Sequence, residues 1–302
     1  MMSNFQDSAF GPKPLLGRSS MMNHGRVPRS KALAALPEGA EGSWGDVDRT
    51  YVVGGNWKSN GDWEFANTFP EEVLNAAEFD TKNVEVVVSP TYIHLNTVKG
   101  KVNENINVSA QDCSEYQRGA YTGNITSDQL ADMGIKWTLT GHSERRSLFG
   151  ETDEIVALKT KMAIDNGLNV MLCIGEQLEE RESGKTGEVN ARQLQACVDK
   201  LTEGDWGNVV IAYEPVWAIG TGKVATPEMA QETHAEIRAW MASAVSPEVA
   251  GAVRILYGGS VNGGNAADLI KEKDIDGFLV GGASLKPEFK DIIEIANKDK
   301  SA

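Results

Sequence analysis

The sequence contains no uninterrupted apolar run close to the roughly 18 residues that a membrane-spanning helix needs. Cysteine is also scarce: Cys113, Cys173 and Cys197 are odd in number and form no C-x-x-C pair. Their spacing argues against a disulfide framework and against a structural zinc site. These absences predict a chain that does not cross a membrane, works in a reducing compartment and uses no metal.

Basic residues are too few to balance the acidic ones. Lysine and arginine total 29 against 43 aspartates and glutamates, which gives a net charge of -14 over 302 residues. A chain of this charge repels polyanions, so nucleic acid and anionic membrane surfaces are unfavourable partners. An anionic ligand therefore needs a locally positive site.

The first 48 residues differ from the remainder in composition. They show no persistent helical or strand period and lack the apolar segment of a secretory signal, and basic residues outnumber acidic ones in the first forty. This pattern resembles an organellar transit peptide, and a disordered tail fits it equally well. We therefore divide the chain into an extension, 1–48, and a folded domain, 49–302. A cytoplasmic location and import into a plastid or mitochondrion both stay open.

From Thr50 onward, short apolar runs alternate with helical patterns. A helix is predicted over Asp153–Asn166, for example, with Lys159 on its polar face. Strands that alternate with helices indicate a parallel sheet, and eight such units in about 250 residues favour a closed (β/α)8 barrel. A doubly wound open sheet would more often use five or six strands. The eight runs are Tyr51–Gly54, Val84–Val88, Ile106–Ala110, Trp137–Thr140, Asn169–Ile174, Val209–Tyr213, Val253–Tyr257 and Gly277–Val280.

Polar residues and glycines follow the carboxyl ends of these runs. In a closed barrel those ends share one rim, where barrel enzymes place their chemistry. The predicted rim residues are Asn56, Lys58, His142, Glu214, Ser260, Gly281 and Gly282.

Glu214 directly follows an apolar run, and burial there would raise its pKa and suit it to act as a general base. A solvated loop glutamate is the alternative, but the segment after Glu214 has the composition of a lid with stiff hinges and a mobile tip. Its residues are Pro215, Val216, Trp217, Ala218, Ile219, Gly220, Thr221, Gly222 and Lys223.

His142 differs from the other histidines because it follows a strand and precedes a predicted helix start. The positive end of that helix would keep its ring neutral. A core histidine is the alternative. His94 and His234 are interpreted as helix-face residues with structural or solvated roles, and no histidine is spaced with Cys or Asp for a metal.

Lys58 is either a surface ammonium or, in a constrained turn after Gly54 and Gly55, a group that stabilises a developing oxyanion. The glycine pairs after the last two strands fit a phosphate site built from backbone N–H groups.

Three segments, 56–58, 141–146 and 212–217, together with 257–261, resemble the catalytic segments of the triosephosphate isomerase family, in that family's order over residues 51–297. The resemblance implies a cofactor-free aldose–ketose isomerase of glycolysis and gluconeogenesis in the cytoplasm. It would interconvert dihydroxyacetone phosphate and D-glyceraldehyde 3-phosphate through an enediolate. The implied catalytic residues are Glu214, His142 and Lys58; the substrate-binding residues are Asn56, Lys58, Gly220, Ser260, Gly281 and Gly282; and Ser143 and Glu144 support them.

The resemblance also implies a homodimer in which the loop that carries Thr122 enters the neighbouring subunit. Asn124 stands where the family commonly has glutamate, so an ion pair with Arg145 would be lost or replaced by an amide contact. Cys173 matches a common family cysteine, and we favour buried packing over redox chemistry for it.

Three other functions remain open from the residues alone. A Schiff-base aldolase could use Lys58 and a sugar phosphate. A phosphate-ligand binding module could use the same fold without catalysis. A barrel isomerase of histidine or tryptophan synthesis is the third, although such enzymes generally use other acid and base positions.

Overall fold

A computed structural model describes residues 47–218 and 225–301. Within these residues, eight parallel strands close into a barrel in which each strand pairs with the next and the last pairs with the first. The predicted (β/α)8 barrel is confirmed. The strands are β1 Tyr51–Asn56, β2 Val84–Ser89, β3 Ile106–Ala110, β4 Trp137–Thr140, β5 Asn169–Ile174, β6 Val209–Tyr213, β7 Arg254–Tyr257 and β8 Gly277–Val280.

Three strands differ from the prediction at one end. Asn56 is the last residue of β1 rather than a residue beyond it, β2 extends to Ser89 rather than ending at Val88, and β7 begins at Arg254 rather than at Val253. Of the predicted extension, residues 1–46 lie outside the described residues. So do Ile219, Gly220, Thr221, Gly222 and Lys223 of the predicted lid.

Helices surround the barrel, and side-chain caps fix several of their starts. Thr226 accepts a hydrogen bond from the Met229 backbone N–H, directly before Pro227 at the first helical position. In the described part of the chain no helix is long and apolar enough to span a membrane. The α-helices are α1 Trp63–Phe69, α2 Leu95–Lys99, α3 Ser127–Asp132, α4 Ser143–Phe149, α5 Asp153–Asp165, α6 Leu178–Glu182, α7 Thr186–Val198, α8 Pro227–Ala244, α9 Pro247–Ala252, α10 Ala266–Leu269 and α11 Glu288–Lys300.

Both faces of the strands are buried, as the apolar runs predict. Val53 and Val86 pack outward against the helices, whereas their neighbours Val52 and Val87 point into the barrel. Inward-facing side chains of neighbouring strands therefore fill the interior. The inner cluster is Val52, Val87, Trp137, Leu139, Met171, Cys173, Val210, Ala212, Leu256 and Leu279.

The interpretation of Lys159 as a polar-face residue is wrong. Lys159 is only 4% exposed, and its ammonium lies 2.7 Å from Asp112 Oδ2 and also pairs with Glu151. Leu158, beside it on α5, is 41% exposed. The buried charge is tolerated because two carboxylates neutralise it, which the periodicity of a single helix cannot reveal.

A second buried ion cluster lies at the amino-terminal end of the barrel. Arg238 of α8 is fully buried and pairs with Asp274 at 2.8 Å and with Asp276 at 2.7 Å. Arg49, just before β1, pairs with the other oxygen of Asp276 at 2.6 Å. These arginines join the helix that follows β6 to the chain segments that enter β8 and β1.

Candidate functional site

The rim residues predicted from the sequence meet in one cavity of about 360 Å³ at the carboxyl ends of the strands. The cavity also exposes Asn60, Asn262, Leu279, Lys286 and Glu288, which the sequence did not single out. Residues at the ends of strands that are distant in sequence therefore form one site, as expected for a closed barrel. The predicted residues that line it are Asn56, Lys58, His142, Glu214, Ser260, Gly281 and Gly282.

Glu214 is held at the centre of this site by contacts from the neighbouring rim. Its Oε1 lies 2.9 Å from His142 Nε2, and its Oε2 accepts a hydrogen bond from the Ser143 backbone N–H at 2.9 Å. The Glu214 backbone N–H is bound to the Ile174 carbonyl at 2.7 Å. The carboxylate is thus fixed by both its side chain and its backbone.

The predicted direction of the Glu214 pKa shift is wrong. Burial is the largest single influence and raises the pKa, but the His142 ring, the Ser143 N–H and the Lys58 ammonium together lower it below the ordinary value. The sequence pointed to burial but not to these three compensating groups. Glu214 is therefore an ionised carboxylate at neutral pH, which is the state that a base requires.

His142 is the N-cap residue of α4, as the sequence predicts. Its Nδ1 accepts a hydrogen bond from the Glu144 backbone N–H at 3.2 Å, so in the neutral ring Nε2 carries the proton. Burial, the largest single influence, lowers the pKa of His142, but the Glu214 and Glu144 carboxylates raise it and the net shift is upward. This direction is opposite to the effect expected from the positive end of the helix.

Lys58 lies in the constrained turn that the sequence indicates. It has φ +52°, in the left-handed region that disfavours a side chain, and its backbone N–H is bound to Asn56 Oδ1 at 2.9 Å. Its Nζ lies 2.5 Å from Glu144 Oε1. Such strain costs of order 1–3 kcal/mol and marks a side chain that the surroundings force into place.

Gln111 is a residue that sequence reasoning missed. Its Nε2 donates to the Lys58 carbonyl at 2.7 Å and to the Ser89 carbonyl at 2.9 Å, which braces the strained turn. Gln111 directly follows β3, so its position at a strand end was the signal that could have identified it.

The far end of the cavity is formed by glycines and Ser260. The Ser260 hydroxyl donates to the Ala218 carbonyl at 2.8 Å, so it links the loop after β7 to the described start of the lid segment. Gly281 directly precedes a short 3₁₀ turn, Gly282–Leu285; a Cβ added to Gly281 would meet only the Lys58 side chain, at 3.7 Å, and one added to Gly282 would meet nothing within 4 Å. These three residues present hydroxyl and backbone groups on the same wall.

The described part of the lid segment rests on Glu176, a second residue that the sequence did not reveal. Glu176 Oε1 accepts from the Trp217 indole N–H at 3.0 Å and from the Tyr213 hydroxyl at 3.0 Å, and its backbone carbonyl accepts from Val216 N–H at 3.2 Å. Arg181 covers the Trp217 ring at 5.2 Å. Glu176 lies in the loop after β5, and only the fold brings it beneath Trp217.

The loop that carries Thr122 is exposed. Tyr116 and Tyr121 stack on each other there with ring centroids 4.3 Å apart. Arg145 pairs with Asp112 at 2.9 Å within the same chain. The sequence predicts that Asn124 loses an ion pair with Arg145 or replaces it with an amide contact. In the structure, Arg145 is paired with Asp112 and Glu151 instead.

The other histidines and the cysteine that the sequence singled out are buried in the protein core. His94 and His234 are both buried rather than solvated, and His234 Nδ1 lies 3.1 Å from the Asp274 carbonyl. Cys173 is completely buried inside the barrel, and burial raises its pKa well above the ordinary value, so its thiol is inert. Among the residues the structure describes, no group of three or more His, Cys, Asp or Glu is arranged to hold a metal ion.

Comparison with known proteins agrees with this geometry. The family model for triosephosphate isomerase matches residues 51–296. The triosephosphate isomerase of Coprinopsis cinerea is 55% identical over 247 residues, covering 82% of this chain and 98% of that protein. The cytosolic triosephosphate isomerase of rice is 51% identical over 251 residues, covering 83% and 98%. The chloroplastic enzyme of Fragaria ananassa is 47% identical over 292 residues, covering 96% and 90%.

Proposed function

Because the chain belongs to the triosephosphate isomerase family, we propose that Glu214, His142 and Lys58 together carry out its reaction. The protein is an intramolecular aldose–ketose isomerase that interconverts dihydroxyacetone phosphate and D-glyceraldehyde 3-phosphate. The observation that carries the residue assignment is the contact between Glu214 Oε1 and His142 Nε2, in the cavity that Lys58 lines.

The reaction moves one proton between two carbons and a second between two oxygens. The Glu214 carboxylate takes the proton from the carbon beside the carbonyl and returns it to the other carbon. The His142 Nε2–H donates to the carbonyl oxygen, so that an enediolate forms rather than a bare carbanion. The Lys58 ammonium compensates the negative charge that develops on the oxygens.

Substrate binding changes the basicity of Glu214 in a useful direction. In the free protein His142 is among the groups that lower the Glu214 pKa, while burial raises it. A substrate that enters between these side chains removes the direct contact between Glu214 and His142, while Glu214 remains buried. The carboxylate then becomes a stronger base at the moment when the proton must be taken.

The phosphate is held at the wall formed by Ser260, Gly281 and Gly282, with Gly220 added from the lid. Exposed backbone N–H groups suit a dianion without requiring a basic surface, which the charge of -14 does not provide. Closure of the lid over the enediolate excludes water and suppresses the loss of phosphate. The hinge residues Pro215 to Ala218 are anchored through Trp217 on Glu176.

The protein also forms a homodimer in this proposal, through the face that carries Tyr121 and Thr122. Large apolar side chains are exposed in the described chain, among them Ile93 at 81%, Leu148 at 75% and Phe149 at 67%. Exposed apolar area of this kind marks protein–protein contact. Analytical ultracentrifugation of wild type and Tyr121→Asp tests the assignment, since a wild-type monomer would refute it.

Residues 49–302 form the catalytic domain and residues 1–48 decide the compartment. Relatives of this chain include proteins named chloroplastic and cytosolic. A fluorescent protein fused after residue 48 shows the destination: organellar fluorescence supports a transit peptide, and diffuse fluorescence supports the cytoplasm. A chain that begins at Asp48 should keep its activity, because Asp48 and Arg49 retain their contacts with Lys300 and Asp276.

A Schiff-base aldolase is disfavoured by the ion pair of Lys58 with Glu144, because a paired ammonium is a poor nucleophile. The deciding experiment measures glyceraldehyde 3-phosphate formation in a coupled assay, with borohydride added in a parallel sample. Isomerisation without covalent attachment at Lys58 supports the isomerase. Trapping of the substrate on Lys58 would establish the aldolase instead.

A further inference from the structure

Arg146 turns its side chain back beneath the rim instead of outward into solvent. It belongs to α4, one turn after His142, and its side chain is only 14% exposed. Its Nε donates to the Gly141 carbonyl at 2.7 Å, its Nη2 donates to the Cys173 carbonyl at 3.3 Å, and its Nη1 lies 2.6 Å from Asp153 Oδ1. One guanidinium therefore joins the ends of two neighbouring strands to the start of α5.

The two carbonyls lead directly to the two groups of the proposed proton transfer. Gly141 is the residue before His142, and its φ of +69° sets the direction in which the chain leaves β4. Cys173 precedes Ile174, whose carbonyl holds the Glu214 backbone N–H at 2.7 Å. The spacing of these strand ends thus sets how far His142 stands from Glu214.

The fit around Gly141 leaves little room for adjustment. A Cβ added to Gly141 would lie 2.7 Å from Val156 Cγ1 and 2.9 Å from Arg146 Nη2. The guanidinium is therefore packed against the turn as well as bonded to it. Lysine could not replace it, because an ammonium lacks the planar fork that reaches three acceptors at fixed angles.

We infer that Arg146 is a positioning residue, which holds the ends of β4 and β5 so that His142 and Glu214 stand at the distance the reaction needs. This inference rests on the proposed function. Arg146 does not line the cavity that contains Lys58 and Ser260; it lines a separate cleft that shares Glu214 with it. Its influence on the rate must therefore pass through the residues it holds.

Arg192 provides a matched control. From α7, its Nε lies 3.0 Å from the other oxygen of Asp153, and its side chain is 53% exposed. Arg192→Met thus removes a guanidinium from the same carboxylate without touching the carbonyls of Gly141 and Cys173. A purely structural role for the Asp153 pair would affect both arginine variants alike.

The test compares Arg146→Lys, Arg146→Met and Arg192→Met with wild type. We expect kcat to fall by roughly 10-fold to 100-fold in the Arg146 variants, as a small misplacement of reacting groups does, with KM and the affinity for inorganic phosphate within about 2-fold. The affinity for a planar phosphate-bearing mimic of the enediolate should fall by the same factor as kcat. Arg192→Met should keep the wild-type kcat.

Nitrogen NMR of the His142 ring separates this inference from the proposed function, because the ring signals do not depend on turnover. They should move in Arg146→Met and stay in place in Arg192→Met. If Arg146→Met does not fold, Arg146→Lys carries the test. A folded Arg146→Lys protein with wild-type kcat overturns the inference, and so do equal losses in the Arg146 and Arg192 variants. A wild-type protein without isomerase activity would overturn the proposed function instead.

Discussion

Glu214 Oε1 and His142 Nε2 are 2.9 Å apart, although they follow different strands of the barrel. In the free protein the two groups that would act on substrate therefore bind each other. The contact stabilises the ionised carboxylate and satisfies the ring proton. In the proposed function a substrate would separate them, and the loss of the His142 contact would raise the Glu214 pKa.

Replacing Glu214 with glutamine should lower kcat by roughly 10²-fold to 10⁴-fold, the scale for loss of a positioned base. Glutamine keeps the size of the side chain and can still accept from the Ser143 N–H. The coupled assay for glyceraldehyde 3-phosphate measures the change, with circular dichroism to establish folding. Glu104→Gln is the control, because Glu104 is exposed and lies away from the site. A folded Glu214→Gln protein with full activity would contradict the assignment of the base.

His234 should make the fold sensitive to acid. Burial, the largest influence, lowers its pKa from 6.5 to about 4. Between these pH values His234 is protonated in the unfolded chain but not in the folded protein. The contribution of neutral His234 to the free energy of unfolding is therefore complete above pH 6.5 and is lost as the pH falls towards 4. It amounts to ~3 kcal/mol. Urea titrations should show that the difference in free energy of unfolding between wild type and His234→Gln becomes smaller from pH 7 to pH 4.5. A difference that stays constant would contradict this prediction.

Asp112 should have the opposite effect on the pH dependence of stability, over nearly the same pH range as His234. Burial, helped by the Glu151 carboxylate, raises its pKa to about 6 despite the opposing charges of Lys159 and Arg145. The folded protein then binds a proton between pH 6 and pH 4 that the unfolded chain does not yet take, so acidification contributes stability. We expect Asp112→Asn to lose stability on acidification more steeply than wild type. Parallel urea midpoints for the two proteins would refute this.

Replacing Asn190 with an apolar residue should stabilise the fold. It is 1% exposed on α7, and neither its Oδ1 nor its Nδ2 has a hydrogen-bond partner in the described structure. Replacing it with valine removes an unsatisfied polar group and should raise the free energy of unfolding by about 1–3 kcal/mol. Gln193→Leu is the contrast, because Gln193 bonds both the N–H and the carbonyl of Gly175 and its loss should destabilise. A less stable Asn190→Val protein would contradict the prediction.

Arg238 should be among the most sensitive positions outside the site. Methionine there would leave Asp274 and Asp276 without their buried partner and should cost about 3–5 kcal/mol of stability. Chemical denaturation measures the loss. Lys271→Met breaks an ion pair with Asp268 that is exposed, and its effect should stay below about 1 kcal/mol. Similar losses in the two variants would show that burial of the Arg238 cluster does not set its strength.

Deleting Gly220 to Gly222 tests the lid. Without closure the enediolate should lose phosphate to solvent, so the fraction of turnover that yields methylglyoxal should rise while isomerisation slows. Product analysis by chromatography gives the ratio. An unchanged partition between isomer and methylglyoxal would argue that the segment has no protective role.

Local features of the sequence were enough to predict the barrel and the rim where the candidate site lies. Apolar runs, their number and the residues that follow them are local features, and strand ends in a parallel barrel share one rim. Asn56, Lys58, His142, Glu214 and the last glycine pairs could therefore be assigned to one place before any coordinates.

The protonation and burial of individual residues, in contrast, depend on contacts that form only in the folded chain. The Glu214 pKa falls because His142 and Lys58 approach it through space, and Lys159 is buried because two acids from other parts of the chain meet it. Glu176 and Arg146 act on partners beyond their own strand or helix. Electrostatic and hydrogen-bond energies depend on distances across the fold, and these distances are not encoded in the period of any single segment.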